Sequence, residues 1–166
     1  MFAEHRIPVI GLKDLPGPFH EPSETGSTFE QNAAIKALSY AHQTGRPCLA
    51  DDSGLEVDAL NGAPGVISSH YSTDGVETGL TREQRDAANN RRLLRELDGV
   101  PPSRRAARFV CVMCIADPGR VLATSRGTFE GRIGLPGEVP RGDNGFGYDP
   151  LFLVPDPHTR TSAKLE

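Results

Sequence analysis

Two neighbouring apolar runs decide the fold: Ala107-Arg-Phe-Val-Cys-Val-Met-Cys-Ile-Ala116 and residues 121–133, joined by the turn Asp117-Pro-Gly119. Two such runs on either side of a tight turn predict an antiparallel β-hairpin. The first run is apolar on both faces, which is typical of a central strand. Because residues three apart in a strand point to opposite faces, Cys111 and Cys114 are interpreted as core cysteines rather than as a disulfide or a zinc site.

Helices are predicted on both sides of a short strand that precedes the hairpin. Thr28-Phe-Glu-Gln31 and Thr81-Arg-Glu-Gln84 have the pattern of capping boxes and predict helices that run to about residues 43 and 97. Short strands are predicted at residues 5–12, 48–50 and 151–154. Strands that alternate with helices indicate an α/β protein with a mixed β-sheet flanked by helices, built as a single domain over residues 1–166.

Composition excludes several classes of partner. The chain has 166 residues with 18 Lys+Arg against 22 Asp+Glu, a net charge of −4. An acidic domain lacks the basic face that a nucleic-acid backbone requires, so no nucleic-acid polymer is expected as a partner. No apolar run reaches the length of a membrane span, and no membrane partner is expected either. Three cysteines and no signal peptide favour a reducing, cytoplasmic location.

The first constellation that could do chemistry is acidic. Glu24 precedes the first predicted helix, while Asp51 and Asp52 directly follow the predicted strand at residues 48–50. A helix entry and a strand exit can meet at one ion, and Mg²⁺ is usually held by one or two carboxylates plus substrate phosphates. The pattern alone is also that of a solvated turn, because Asp, Ser and Gly are turn residues. Adjacent carboxylates beside an apolar strand nevertheless call for a compensating cation.

The second constellation is the glycine-rich loop Gly142-Asp-Asn-Gly-Phe-Gly-Tyr-Asp-Pro150. Glycine allows a ligand to approach the backbone closely, and an aromatic face can stack on a base. Equally, Phe146 and Tyr148 could pack inward from a glycine-bulged hairpin. The loop is neither a dinucleotide fingerprint nor a Walker A motif. The arginines of the second helix are interpreted as a solvated face: Arg82, Arg85, Arg91, Arg92 and Arg95.

Several separated stretches together resemble one family, and they occur in that family's order over nearly the whole chain. They are Glu24-Thr-Gly26, Thr28-Phe29 with Asn32-Ala33 and Lys36-Ala37, Ala50-Asp-Asp-Ser-Gly-Leu55, Gly62-Ala-Pro-Gly65 and Gly142-x-x-Gly-Phe-Gly-Tyr-Asp-Pro150. The sequence thus resembles the inosine triphosphate pyrophosphatase family, which clears non-canonical purine nucleotides. Five motifs in order are more specific than any one of them and favour a ligand site over solvated turns.

The resemblance implies that the chain hydrolyses ITP, dITP or XTP to the monophosphate and pyrophosphate. Asp52 matches the family's general base and metal ligand, and Glu24 would help Asp52 to hold Mg²⁺. The matched substrate-binding positions are Ser53, Phe146, Gly147, Tyr148 and Asp149. Phe146 would stack on the purine of the nucleoside triphosphate, and the family forms homodimers. The alternative from another class is a non-catalytic nucleotide-binding or dimerising remnant of this fold.

The sequence departs from the family at both ends. Family members usually open with a strand, a phosphate-gripping loop and a helix, and close with a Lys and a Ser-His-Arg segment on a C-terminal helix; this sequence starts after the former and stops at Glu166. Three positions also differ from the common pattern: Gln31, His70 and Lys164. Because cationic groups that grip phosphate are missing, weak or no turnover is expected from this chain alone.

Overall fold

The predicted hairpin forms the centre of the only sheet in the described part of the chain, residues 7–155 and 159–165 of a computed structural model. In chain order the elements are α1 (Phe29–Thr44), β1 (Cys48–Val57), α2 (Arg82–Glu96), β2 (Ala106–Asp117), β3 (Arg120–Ile133) and β4 (Phe152–Leu153). The strands lie in the order β1-β2-β3-β4. The α/β class is confirmed, and each pairing among these strands is antiparallel, where the sequence suggested a mixed sheet.

The pattern predicted two core cysteines on opposite faces of the central strand β2, and the prediction of burial is wrong for Cys111. Cys114 is fully buried, whereas Cys111 is exposed on the opposite face, where it pairs with Gly127 of β3. The alternation of side chains along a strand is the reason. The interpretation of these residues as separate thiols, rather than as a disulfide, is confirmed.

The first predicted strand is wrong for the part of it that the structure describes. Residues 7–11 have no regular secondary structure, and a short 3-10 turn follows at Leu12–Asp14; residues 5 and 6 lie outside the described residues. Ile7, Val9 and Ile10 are exposed. β-branched residues favour a strand only where a neighbouring strand pairs with them, so local preference was not enough here.

The helices begin where their caps predicted. The Thr28 side chain accepts a hydrogen bond from the Gln31 backbone N–H at the start of α1, and Thr81 with Gln84 forms a complete capping box on α2. α1 packs through small side chains, Ala33 and Ala37, against the face of β2 that carries Val110 and Val112. Small residues let the helix lie close to the strands, which brings its polar flank to β1.

The opposite face of the sheet is covered only in part. Its core combines Leu55 and Val57 of β1 with Leu93 of α2, Leu97 directly after α2, and Phe152. α2 reaches this core through the 3-10 segment Gly65–Thr73, and the two contact each other extensively. Beyond the core the face opens into a cavity. In the described residues, no helix is both long and apolar enough to cross a bilayer.

Candidate active site

Two adjacent residues of β1 open onto opposite faces of the sheet. The strand does not stop at residue 50 as predicted but continues to Val57, so Asp51 and Asp52 lie within it rather than at its end. Asp52 is buried on the α1 side opposite Val112, whereas Ser53 is exposed on the other side opposite Cys111. Two consecutive residues of β1 therefore lie in two different environments.

On the α1 side, three charged groups meet. Lys36 Nζ lies 2.9 Å from Asp52 Oδ1 and 3.3 Å from Glu24 Oε1. The two carboxylates that the sequence singled out are thus brought together, and a lysine to which the sequence gave no role joins them. Lys36 lies between Ala33 and Ala37, the small residues that pack α1 on the sheet, and its side chain is only 17% exposed. We call this group, Glu24, Lys36 and Asp52, the acid cluster.

The electrostatics of the acid cluster are finely balanced. Burial raises the pKa of Glu24, and the nearby Asp52 raises it further against the opposing effect of Lys36. Burial disfavours the charge of Lys36, but its contacts with Asp52 and Glu24 outweigh burial and raise the pKa of the ammonium group. Lys36 therefore remains a cation at neutral pH and neutralises only part of the negative charge beside it.

Asp52 retains an unused acceptor. Its Oδ2 is buried and has no hydrogen-bond partner among the described residues. A buried carboxylate oxygen without a partner is costly, which suits a position that a cation or a water is meant to occupy. The described residues contain no group of three or more His, Cys, Asp or Glu side chains that could hold a metal. Glu24 and Asp52 fit Mg²⁺ as a two-carboxylate site completed by substrate phosphates.

On the other side of β1 lies a cavity of about 610 Å³, large enough for a nucleoside. Its walls come from the three long strands, the segment Gly65–Thr73, α2 and the glycine-rich loop. Each of the predicted substrate-binding residues lines it: Ser53, Phe146, Gly147, Tyr148 and Asp149. The exposed Asp51 stands apart from the acid cluster and accepts a hydrogen bond from the Ser53 hydroxyl at 3.0 Å.

The two aromatics of the glycine-rich loop have different environments. Tyr148 is buried, its hydroxyl donates to the Ser68 carbonyl at 2.8 Å, and burial raises the pKa of the phenol, so it stays neutral. Phe146 is 66% exposed at the mouth of the cavity, and the Arg82 guanidinium lies 4.4 Å from its ring centre. Inward packing thus describes Tyr148, while Phe146 offers an open aromatic face.

Asp149 fixes the loop from within. Its Oδ2 accepts the backbone N–H of Phe146 at 2.9 Å, and its Oδ1 accepts the hydroxyl of Ser162 at 2.7 Å. Gly145 has a φ of +73°, and a Cβ there would collide with the Asp149 carboxylate. Glycine at this position is therefore required by the close approach of Asp149, and the loop is built around that side chain.

The sequence interpretation missed contributions from both helices. Lys36 belonged to a motif that carried the resemblance, yet its place between two carboxylates needs the tertiary fold. Arg82, Arg85, Asp86 and Asn89 of α2 line the cavity. Arg82 is exposed, so the interpretation of the α2 arginines as a solvated face holds for it, but that interpretation is wrong for Arg85 and Arg92, whose side chains are each 23% exposed. The pair Asn89-Asn90 among those arginines could have indicated a functional face of α2. Asparagine has a low helix propensity, so two of them inside a helix suggest that their side chains make specific contacts.

Comparisons with known proteins identify the family of the chain. The sequence profile of the Ham1 family matches residues 1–166. The chain is 52% identical over 149 residues to a protein of Nitratidesulfovibrio vulgaris named dITP/XTP pyrophosphatase, covering 90% of this chain and 69% of that protein. It is similar to a solved dITP/XTP pyrophosphatase of Mycobacterium abscessus, with a TM-score of 0.78, 40% identity and coverage of 99% and 79%. The Ham1 protein of Staphylococcus aureus gives a TM-score of 0.74 at 40% identity, over 89% and 69% of the two chains. The chain therefore belongs to the Ham1 family.

Proposed function

We propose that this chain hydrolyses non-canonical purine nucleoside triphosphates, namely ITP, dITP and XTP, to the monophosphate and pyrophosphate. The observation that carries the proposal is the acid cluster, with its orphaned Asp52 oxygen, one residue along β1 from the wall of a nucleoside-sized cavity. The names of the relatives, which are pyrophosphatases of dITP and XTP, support it. They do not favour the alternative of a non-catalytic remnant.

In the proposed mechanism, Asp52 is the general base. Its Oδ1 is held by Lys36, which leaves Oδ2 as the acceptor for a proton from the water that attacks the α-phosphorus. Glu24 and Asp52 would hold Mg²⁺, which when bound neutralises phosphate charge and lowers the pKa of water. Lys36 keeps the two carboxylates in place and supplies positive charge beside the phosphates.

The cavity would take the base. Phe146 presents an exposed aromatic face at the mouth of the cavity. Stacking on this ring would hold a purine, but stacking does not distinguish one purine from another by its hydrogen-bonding groups. Backbone groups of the glycine-rich loop would read the 6-oxo edge that hypoxanthine and xanthine share and adenine lacks. Guanine carries the same oxygen, so its rejection needs a further contact.

The edge of β1 would connect the two environments. In the described residues β1 pairs with β2 along its length, and contacts to its other edge begin at Leu55, whose N–H donates to the Ser68 hydroxyl, and continue with the bridge from Glu56 to Pro64. Residues 48–53 therefore have an open edge in this part of the chain. A nucleotide whose base lies in the cavity beside Ser53 would bring its phosphates around this edge to Asp52.

A homodimer in the cytoplasm completes the proposal. The dimer is supported by the resemblance to a family of homodimers, and the location by the free thiols of Cys48, Cys111 and Cys114. Sedimentation at several protein concentrations tests the assembly, since a single monomeric species at micromolar concentration would contradict it.

Release of pyrophosphate tests the reaction. Purified chain is incubated with ITP, XTP or ATP in the presence and absence of Mg²⁺, and the products are separated. We expect inosine and xanthosine monophosphates with pyrophosphate, dependent on Mg²⁺, with ATP turned over far more slowly. Release of single phosphates, or equal turnover of ATP, would contradict the assignment.

A further inference from the structure

One residue of the glycine-rich loop is held by α2 at both its backbone N–H and its backbone carbonyl. The backbone N–H of Gly147 donates to Asp86 Oδ2 at 2.9 Å, and the side-chain amide of Asn90 donates to the Gly147 carbonyl at 3.0 Å. Residues four apart lie on the same face of a helix, so Asp86 and Asn90 form a pair of matched acceptor and donor. We call this pair the α2 clamp.

The α2 clamp lies next to the aromatic that is proposed to stack on the base. Gly147 follows Phe146 directly and has a φ of +59°, in the left-handed region that favours glycine. Arg82, one turn before Asp86 on α2, lies over the Phe146 ring. Three side chains on one face of the helix therefore contact two successive residues of the loop.

Phe146 itself has little else to hold it. Its ring is 66% exposed, and its backbone N–H is held by Asp149 of the same loop. An aromatic side chain on a loop keeps one orientation only if its backbone is fixed to a rigid element. The contacts from Asp86 and Asn90 supply that connection, because α2 is anchored in the core by Leu93 and Leu97.

We propose that Asp86 and Asn90 are positioning residues for base recognition: they hold the Gly147 peptide so that the Phe146 ring faces the cavity mouth. This inference rests on the proposed function, in which Phe146 stacks on the purine. Loss of the α2 clamp should free the ring and weaken the binding of the base, while the acid cluster on the other face of β1 stays intact. The expected result is a loss of affinity for ligands that carry a base, with no loss for ligands that lack one.

The experiment compares two triphosphate ligands, of which only one carries a nucleoside. Calorimetry without Mg²⁺, so that ITP is not turned over, measures the affinity of the whole chain for ITP and for inorganic tripolyphosphate, which carries the phosphates without base or ribose. Asp86→Ala and Asn90→Ala are each expected to weaken ITP binding by about three- to tenfold, the cost of one hydrogen bond, and to leave tripolyphosphate binding unchanged. Asp86→Asn retains an acceptor oxygen and should restore most of the ITP affinity.

A matched control comes from the same helix. Arg91 is exposed on α2 beside Asn90, so Arg91→Ala makes the same helix-favouring change and should leave both affinities as they are. Equal losses for ITP and tripolyphosphate, or unchanged ITP affinity in both alanine variants, would overturn the inference. If the unmodified chain binds tripolyphosphate but not ITP, the proposed function fails, and the inference fails with it. Should one alanine variant not fold, Asp86→Asn against Asn90→Asp gives the same contrast, because only the latter removes the donor to Gly147.

Discussion

The two faces of β1 differ in how their polar groups are satisfied. On the α1 side, a cation lies between two carboxylates, and a buried oxygen of Asp52 has no partner. On the cavity side, the polar atoms of Tyr148 and Asp149 are engaged in holding the loop. The contrast shows that two consecutive residues of one strand can meet different polar environments: one side holds a buried carboxylate oxygen without a partner among the described residues, and the other is bounded by a loop that its own polar side chains hold in place.

The largest effect that separates the faces is expected from Asp52→Asn. An amide keeps the size of the side chain but cannot take a proton, so pyrophosphate release should fall by roughly 10²- to 10⁴-fold, the usual contribution of a general base. Binding of inosine in the cavity should not change. Steady-state release of pyrophosphate and calorimetry with inosine measure the two properties, and retained turnover would remove Asp52 from its role.

Gly54→Ala disturbs the packing of β1 against both α1 and the segment Gly65–Thr73. A Cβ there would lie 2.8 Å from the Gly65 carbonyl oxygen on one side and 2.9 Å from the Phe29 ring on the other. Both α1 and the segment Gly65–Thr73 would have to shift, at a cost of about 1–3 kcal/mol in the free energy of unfolding.

Gly127→Ala is the matched control for this change. A Cβ on Gly127, in β3, would meet only the Cys111 carbonyl oxygen, at 4.0 Å. Denaturant unfolding of both variants gives the comparison, and equal stability of the two would contradict the close approach at Gly54.

Phe146→Ala acts on the cavity side alone. Stacking of an aromatic side chain on a base contributes about 1–3 kcal/mol, so ITP affinity should fall by at least fivefold, with tripolyphosphate affinity unaffected. Phe146→Leu retains apolar bulk without the aromatic face and should recover only part of the loss. Full recovery by leucine would show that bulk, rather than stacking, holds the base.

The smallest effect is a pH-dependent change in stability at Glu24. Because the pKa of Glu24 is raised in the folded chain, the folded state binds a proton more readily than the unfolded state above the usual pKa of 4.5. The contribution of Glu24 to stability therefore falls as pH rises from 4.5 through the raised pKa. Glu24→Gln removes this titration, so the Tm of the variant relative to the unmodified chain should increase between pH 4 and pH 7. A Tm difference that does not change with pH would show that Lys36 compensates Glu24 fully.

The elements with strong local patterns were predictable. The hairpin follows from two apolar runs around a tight turn, and the helix starts follow from Thr28 and Thr81, whose hydroxyls meet backbone groups three residues away. These features depend on neighbours in sequence. The strand predicted at residues 5–12 failed for residues 7–12 because a strand depends on a partner that local sequence does not specify.

The candidate site was predictable only in its list of residues. Glu24 and Asp52 were paired from their spacing, yet the predicted turn at Asp51-Asp52 is the middle of a strand, because the charge of Asp52 is met by Lys36 from another element. The sequence around residue 52 does not predict that Lys36 pairs with Asp52. Likewise, Asp86 and Asn90 reach Gly147 across 61 and 57 residues of chain.

The sequence by itself determined the α/β class, the hairpin, the opposite facing of Cys111 and Cys114, and the motifs that place the chain in its family. These depend on periodicity, capping and turn chemistry, which act over a few residues. Only the tertiary structure decided that Asp52 and Ser53 face different environments, that Lys36 joins the carboxylates and that α2 holds the loop. Those contacts join residues far apart in the chain, and which of them form depends on how the helices pack against the sheet.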